Sequence, residues 1–204
     1  PQHIDARKVQ SAIESMKDVE GVAPMNLGNL VLKGRRLPPC TPAAVMELLG
    51  ETGVTLEGAE VVLVGHSEIV GKPLALMLLD RLASVQVCHH GTRDLAAHTR
   101  RADILISATG KANLITAEMV KDGAIVIDVG FSETPELSAD GVPVVDERTG
   151  ETKMKIVGDV DYAAVSEVAS WITPVPGGVG PLTTATLIRN TIVAAGGPEL
   201  DLGI

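Results

Sequence analysis

From residue 60 onward the chain alternates between two apolar patterns. Short runs rich in β-branched residues, Val61–Val64, Val85–Val87, Ile104–Ser107 and Ala124–Val129, are separated by helical stretches at 72–83, 94–101 and 116–121. Continuous apolar runs mark parallel strands, because helices cover both faces of such a sheet. Strands and helices alternating at this spacing predict right-handed crossovers, hence an α/β fold with a doubly wound, Rossmann-like, mostly parallel sheet.

The remaining elements are read the same way. Val9, Ile13 and Met16 recur at helical spacing and predict a helix over 4–16 with Asp5 as its N-cap. Gly21, Pro24, Gly28, Gly34, Pro38 and Pro39 make 17–39 a connecting or active-site loop. Thr41-Pro42 announces a helix, the hydroxyl capping orphan N–H groups, with Val45, Met46, Leu48 and Leu49 as its apolar face and Gly50 as its end. The stretch 131–155 is a surface excursion with a hairpin of 142–146 against 153–157. A helix near 161–169, a strand over 171–175, a Gly/Pro loop at 174–181 and a helix from about 183 to 195, with Thr183 or Thr184 near its cap, complete the chain.

Composition narrows the function. The 204 residues carry 17 basic against 26 acidic side chains, a formal charge of −9, which repels phosphate backbones and anionic membranes. One Trp, one Tyr and one Phe provide no base-stacking platform, so nucleic acid is excluded as a main partner. No apolar run approaches the roughly 20 residues that cross a bilayer, and no signal peptide is visible; a cytoplasmic protein without a membrane partner is expected. Cys40 and Cys88 lack paired spacing and are expected to be free thiols.

Two stretches carry chemistry. In Val61-Val62-Leu63-Val64-Gly65-His66-Ser67-Glu68-Ile69-Val70-Gly71-Lys72-Pro73 a buried strand enters a tight turn and opens a helix. Gly65 permits the turn, small Ser67 admits a pyrophosphate, and the helix N-terminus offers it unpaired N–H groups. Ser67 and Val70 stand where a dinucleotide fingerprint has Gly, so a turn that binds nothing stays open as an alternative. A hydrolase nucleophile elbow fails because Ile69 occupies its final Gly position. About 20 residues on, Cys88-His89-His90-Gly91-Thr92-Arg93 supplies no carboxylate for a ribose hydroxyl; its imidazole, hydroxyl and guanidinium groups favour NADP over NAD. A metal at Cys88-His89-His90 is not expected, since adjacent strand residues face opposite ways and no further ligand cluster exists. The second stretch, Thr173-Pro174-Val175-Pro176-Gly177-Gly178-Val179-Gly180-Pro181, is a stiff loop whose bare backbone can lie against a planar ring.

With Pro39-Cys40-Thr41-Pro42, Ile127-Asp128-Val129-Gly130, Lys17-Asp18-Val19-Glu20-Gly21 and Gly158-Asp159-Val160, these motifs resemble the bifunctional methylenetetrahydrofolate dehydrogenase/methenyltetrahydrofolate cyclohydrolase family over nearly the whole chain. The resemblance implies NADP-dependent oxidation of methylenetetrahydrofolate, hydrolysis of the methenyl product to formyltetrahydrofolate, and a homodimer. It places Gly65, His66, Ser67, His90 and Phe131 against the coenzyme, with Cys40 and Thr41 at its nicotinamide end. Pro176, Gly177, Gly178, Val179 and Gly180 fall in the loop closing over folate and nicotinamide. Glu20 stands where the family's Asp holds the pterin ring. The family's catalytic Tyr and Lys belong to an N-terminal region that this chain is expected to lack, Pro1 matching the end of that region; Tyr162 and Lys72 lie in other motifs, so no catalytic residue is assigned. The implied division is 1–40 as a remnant of the catalytic domain, 41–175 as the NADP-binding domain, and 176–204 as the folate-side loop and returning helix. The alternative is a dinucleotide-binding module without catalysis.

Overall fold

Five parallel strands form the central sheet in a computed structural model that describes residues 3–32, 37–138 and 140–198. They are β1 (Glu60–Val64), β2 (Ser84–Cys88), β3 (Ile104–Ser107), β4 (Ile125–Asp128) and, after the excursion strands β5 (Ser132–Pro135) and β6 (Met154–Val157), β7 (Trp171–Ile172). The order across the sheet is β2-β1-β3-β4-β7, in register Val61↔Val85, Val61↔Ile104, Ile104↔Ile125 and Ile125↔Trp171. The doubly wound sheet expected from the apolar runs is thus present. Pro1, Gly34 and the chain beyond 198 lie outside the described residues.

Successive strand residues point to opposite faces, and that alternation divides the core in two. Val61, Leu63, Ile104, Ile106, Ile125 and Ile127 pack beneath the helices α3 (Cys40–Glu51) and α4 (Gly71–Asp80). Val62, Val64, Leu105 and Val126 face Ala102, Ile115, Val120 and Val165 on the other side. The short helices α5 (Leu95–Thr99) and α6 (Tyr162–Val165) belong to this second layer. Leu63, Ile104 and Ile106 are fully buried, each contributing about 1.5–3 kcal/mol of hydrophobic stabilisation. The last helix, α7 (Val179–Ala194), packs along α3.

Asp5 caps α1 (Ala6–Ala12), its carboxylate accepting from the N–H groups of Arg7 and Lys8. The loop expected at 17–39 instead contains a second helix, α2 (Pro24–Val31). Pro24 suits its first turn, Leu30 is buried, and Gly28 sits on an open face where glycine costs only propensity, about 1 kcal/mol. Thr41 does not cap α3: the helix begins one residue earlier after Pro39, and the Thr41 hydroxyl accepts from Thr183 Oγ1 at 3.4 Å. Thr183 and Thr184 likewise lie within α7, bonding back to Val179 O and Gly180 O, because the helix starts at Val179 rather than near 183. In the excursion, β6 pairs antiparallel with β5, and 142–146 forms only single bridges, Leu137↔Pro143 and Val145↔Thr152. The expected hairpin is therefore displaced: the 132–135 run competes better for the 154–157 backbone.

Candidate functional site

The crossover connections leave the sheet in opposite directions between β1 and β3, which opens a crevice at the carboxyl ends of these strands. Gly65 and Ala108 follow the two strands there. Gly65 N–H donates to Cys88 O at 2.8 Å and Ala108 N–H to Val64 O at 2.8 Å, knitting three strand ends together. Gly65 has φ +125°, and a Cβ on it would run into Ala108 O. A Cβ on Gly71, the first residue of α4, would likewise run into Gly65 O, so the helix start rests directly on the strand end.

Over this floor lies a cleft of about 450 Å³ lined by His66, Ser67, His89, His90, Thr92 and Lys111 among others. His66 is brought within 5.1 Å of His89 and 5.7 Å of His90, centroid to centroid. The His89 and His90 rings are 5.8 Å apart and both border the cleft, because β2 ends at Cys88 and strand alternation no longer separates them. Arg93 is exposed and does not line the cleft. Ser67 Oγ accepts from Val70 N–H at 3.1 Å and Gly71 N–H at 3.3 Å. Two of the N–H groups expected to face an anion are thus satisfied by the turn itself. Among the described residues, no three His, Cys, Asp or Glu side chains converge as metal ligands.

Further along the same sheet edge, above β4 and β7, a second cleft of about 470 Å³ is lined by Thr41, Val70, Asp128–Phe131, Pro174–Pro181 and Thr183. Pro176, Gly177, Gly178, Val179, Gly180 and Phe131 therefore share one wall system with Thr41, while Cys40 is buried behind it. The loop folds on itself: Gly178 N–H donates to Pro174 O at 2.9 Å, and a Cβ at 178 would meet Pro174 O at 2.6 Å. The first turn of α7 faces this cleft and Thr41 of the first turn of α3 lines it, so two helix N-termini lend it positive polarity. Across four strand spacings of about 4.8 Å, the sheet edge spans roughly 19 Å.

The floor of the second cleft is a buried carboxylate network. Asp128 accepts from Gly130 N–H at 2.8 Å, Asp159 N–H at 3.0 Å and Val160 N–H at 2.9 Å. Burial pushes the Asp128 carboxyl up from its ordinary range, and these three N–H groups pull against that rise. Asp159 accepts from Ser107 Oγ at 2.8 Å and from the N–H groups of Thr109 and Lys111 at 2.6 and 2.9 Å. Asp159 thereby fixes the loop bordering the first cleft while Asp128 fixes the turn bordering the second.

Glu20 is exposed on a turn tied down by Asn190 of α7, whose Nδ2 donates to Val19 O and Pro38 O, both at 2.9 Å. Cys40 Sγ donates to the same Val19 O at 3.3 Å. Burial, and then the neighbouring Glu20 carboxylate, push the Cys40 thiol up to about 12. Asn190 and Thr183 were invisible as site residues in the sequence, since both sit in an ordinary helical run. Asp128 and Asp159 did leave a signal, in that each lies within two residues of a glycine in a quoted motif.

A doubly wound sheet with an edge groove at its switch point defines a dinucleotide-binding domain. Residues 39–197 match the family described as tetrahydrofolate dehydrogenase/cyclohydrolase, NAD(P)-binding domain, and the chain belongs to that family. It is 55% identical over 194 residues to a protein of Roseobacter denitrificans named bifunctional protein FolD 3, a match covering 95% of this chain and 62% of that one. Among solved structures, the Campylobacter jejuni bifunctional FolD enzyme superposes with TM-score 0.82 at 45% identity, over 96% of this chain and 64% of that chain. The Trypanosoma brucei enzyme, complexed with NADP cofactor and inhibitor, superposes with TM-score 0.84 at 38% identity over 95% and 63%. The chain thus spans about three-fifths of the length of the relatives it matches.

Proposed function

We propose that this chain is the coenzyme-binding part of an NADP-dependent enzyme that oxidises methylenetetrahydrofolate to methenyltetrahydrofolate and hydrolyses the product to formyltetrahydrofolate. The observation that carries the reading is the pair of clefts at the carboxyl edge of the sheet, one lined by Gly65, His66 and His90 and the other by Asp128 and the Pro174–Pro181 loop. Their chemistry fits a pyridine dinucleotide bearing a 2′-phosphate. The cleft at the end of β2 is lined by imidazole, hydroxyl and Lys111 groups with no carboxylate among them. Gly65, His66, Ser67 and His90 would hold the adenosine phosphates, and Thr41, Phe131 and the 176–180 backbone the nicotinamide, with Cys40 supporting Thr41 from behind. When bound, NADP supplies the hydride acceptor.

The chain's own residues then position and shield. Hydride transfer needs reacting atoms about 3–3.5 Å apart, and the rigid Gly/Pro loop and the Asp128–Phe131 turn, which line one cleft, would hold the ring that supplies the acceptor. Glu20 would accept from the amino-pyrimidine edge of the pterin, in keeping with its place beside Val19, Cys40 and α7. The only ionisable side chain among the described residues lining the second cleft is Asp128, and its oxygens are already committed to three N–H groups. Proton transfer for hydrolysis therefore falls to groups outside this set, and coenzyme binding is the function assigned to residues 41–175.

A homodimer is part of the same proposal; the outer edge of β2 is left open by the sheet order, and such an edge readily accepts a second copy. A cytoplasmic location accords with the helices, none of which, among the described residues, is long and apolar enough to cross a membrane. The test is calorimetric titration of the chain with NADP, alongside steady-state assay of the longer gene product with methylenetetrahydrofolate. Saturable NADP binding together with activity in the longer product is expected. Binding without activity in either would favour the non-catalytic module, and no binding by natively folded chain would end the proposal.

A further inference from the structure

Three imidazoles, His66, His89 and His90, stand within 5.1–5.8 Å of one another on the β2 side of the first cleft. They come from two separate segments, the turn after β1 and the turn after β2. The remaining ionisable residue lining this cleft is Lys111. The surrounding charges are otherwise engaged. Glu68, next to the turn, is held by Arg7 at 2.7 Å and Lys72 at 3.6 Å and lines a different pocket on the far side of the turn. Asp94 caps α5 through Ala97 N–H, His98 bonds to Gln86, and Asp159 lies beneath the Thr109–Lys111 loop accepting three hydrogen bonds. Cys88 is buried, and burial keeps its thiol above the ordinary range. Arg93 is exposed outside the lining.

The three rings are not equivalent. Gly91 N–H donates to His89 Nδ1 at 3.1 Å, and Thr92 Oγ1 accepts from His89 N–H at 2.9 Å. An occupied Nδ1 fixes the neutral His89 tautomer with its proton on Nε2, an uncharged donor held in place by its own turn. A proton on Nδ1 would cost His89 that bond. His66 and His90 are the rings free to take up charge.

We propose that His66 and His90 form a proton-gated clamp for the phosphomonoester of the coenzyme, so that preference for NADP over NAD is itself set by pH. This rests on the coenzyme reading above and extends it to specificity. Histidine is the side-chain type whose charge changes most readily across physiological pH, and here two such rings face one cleft. A dianionic phosphate held beside the two rings would favour their charged forms. NADP binding then takes up protons, and its affinity is greatest at lower pH and declines as pH rises above the imidazole range. NAD, lacking the phosphate, makes no such demand.

The chain is titrated calorimetrically with NADP and with NAD at about pH 6.5 and about pH 8.5, in two buffers of different ionisation enthalpy. The NADP dissociation constant is expected to rise at least about tenfold over this range, one proton lost per pH unit being worth a factor of ten, with NAD changing less than about twofold. Proton uptake is expected with NADP alone. In the double variant His66→Arg, His90→Arg, permanent cations should keep the NADP preference and flatten its pH profile. In His66→Gln, His90→Gln, the preference should vanish, and an unchanged circular dichroism melting midpoint reports that the variant is folded. A flat NADP profile in the wild-type chain, a profile shared by NAD, or a retained preference in the glutamine pair would each overturn the clamp while leaving the coenzyme site intact. Failure of both coenzymes to bind would overturn the site and the clamp together.

Discussion

Gly158 stands against Asp128 with no room for a side chain: a Cβ at 158 would fall on the carboxylate oxygen Oδ2. The relationship is mirrored one residue on, where a Cβ at Gly130 would fall on Asp159 Oδ1. Two aspartates and two glycines thus interlock across the ends of β4 and β6, each carboxylate reaching backbone N–H groups that a side chain would screen. Gly158→Ala and Gly130→Ala are each expected to cost about 3 kcal/mol. For a domain of this size that lowers the thermal midpoint by about 6–12 °C, readable by circular dichroism. A loss below about 2 °C would show that the carboxylates can move aside.

Gly65→Ala tests the strand-end junction. The new methyl meets Ala108 O and demands a φ of +125°, which an L side chain rarely adopts. Separation of the β1 and β3 ends should weaken NADP binding by at least about 100-fold along with stability. Gly53, which also has a positive φ but faces open space, is the control: Gly53→Ala should lower the melting temperature and leave coenzyme affinity unchanged.

Asn190→Ala removes the amide that joins α7 to both Val19 O and Pro38 O. The buried Pro38 O loses its donor and the part-buried Val19 O keeps only Cys40 Sγ–H, at an expected cost of about 1–3 kcal/mol. Hydrogen exchange should then quicken at 18–23 and at Cys40 and Thr41 before the sheet responds. Uniform quickening across β1, β3 and β4 would contradict this local role.

The thiols give a pH-dependent readout. Cys40 is held near 12, and burial raises Cys88 as well, so at pH 8 both remain protonated in the folded chain. Folded protein should resist alkylation there, whereas urea-unfolded protein, with thiols of ordinary pKa near 8.5, should react at both sites. Because the folded pKa of Cys40 is the higher one, its contribution to stability is intact below about pH 9 and is lost as pH climbs toward 12. Rapid labelling of native chain at pH 8 would refute the assignment.

Ile188 and Ile192 lie more than half exposed on α7, while Leu187 is partly covered. Ile188→Lys with Ile192→Glu should reduce self-association in sedimentation velocity without lowering the melting temperature. An unchanged sedimentation profile would mean that this face does not drive association.

The sheet was legible because its strands are continuous apolar runs, a pattern that survives without any knowledge of partners. The starts of α3 and α7 were not, although Asp5 marked that of α1. Thr41 and Thr183 look like caps, yet each is helical and they meet each other across 142 positions; tertiary packing of α3 on α7 decided where both helices begin. Helix α2 was hidden by Gly28 and Asn26, whose propensities are poor but whose places, one open and one bonded to Asp18 and Ser15 O, make them tolerable. The groove could be read from Gly65 and the Pro174–Pro181 loop. The histidine cluster could not, since it depends on β2 stopping at Cys88 rather than continuing through His90.

The Thr41–Thr183 contact also has a topological meaning. The wall of the second cleft is assembled from the early and the late parts of the chain, with the whole sheet between them. A molecule seated there would strap the first turns of the two helices together, so its binding free energy would be felt as resistance to separation of α7 from α3 along their whole contact. Proteolytic trimming of the last helix should therefore be slowed by coenzyme even though the scissile bonds lie outside its reach.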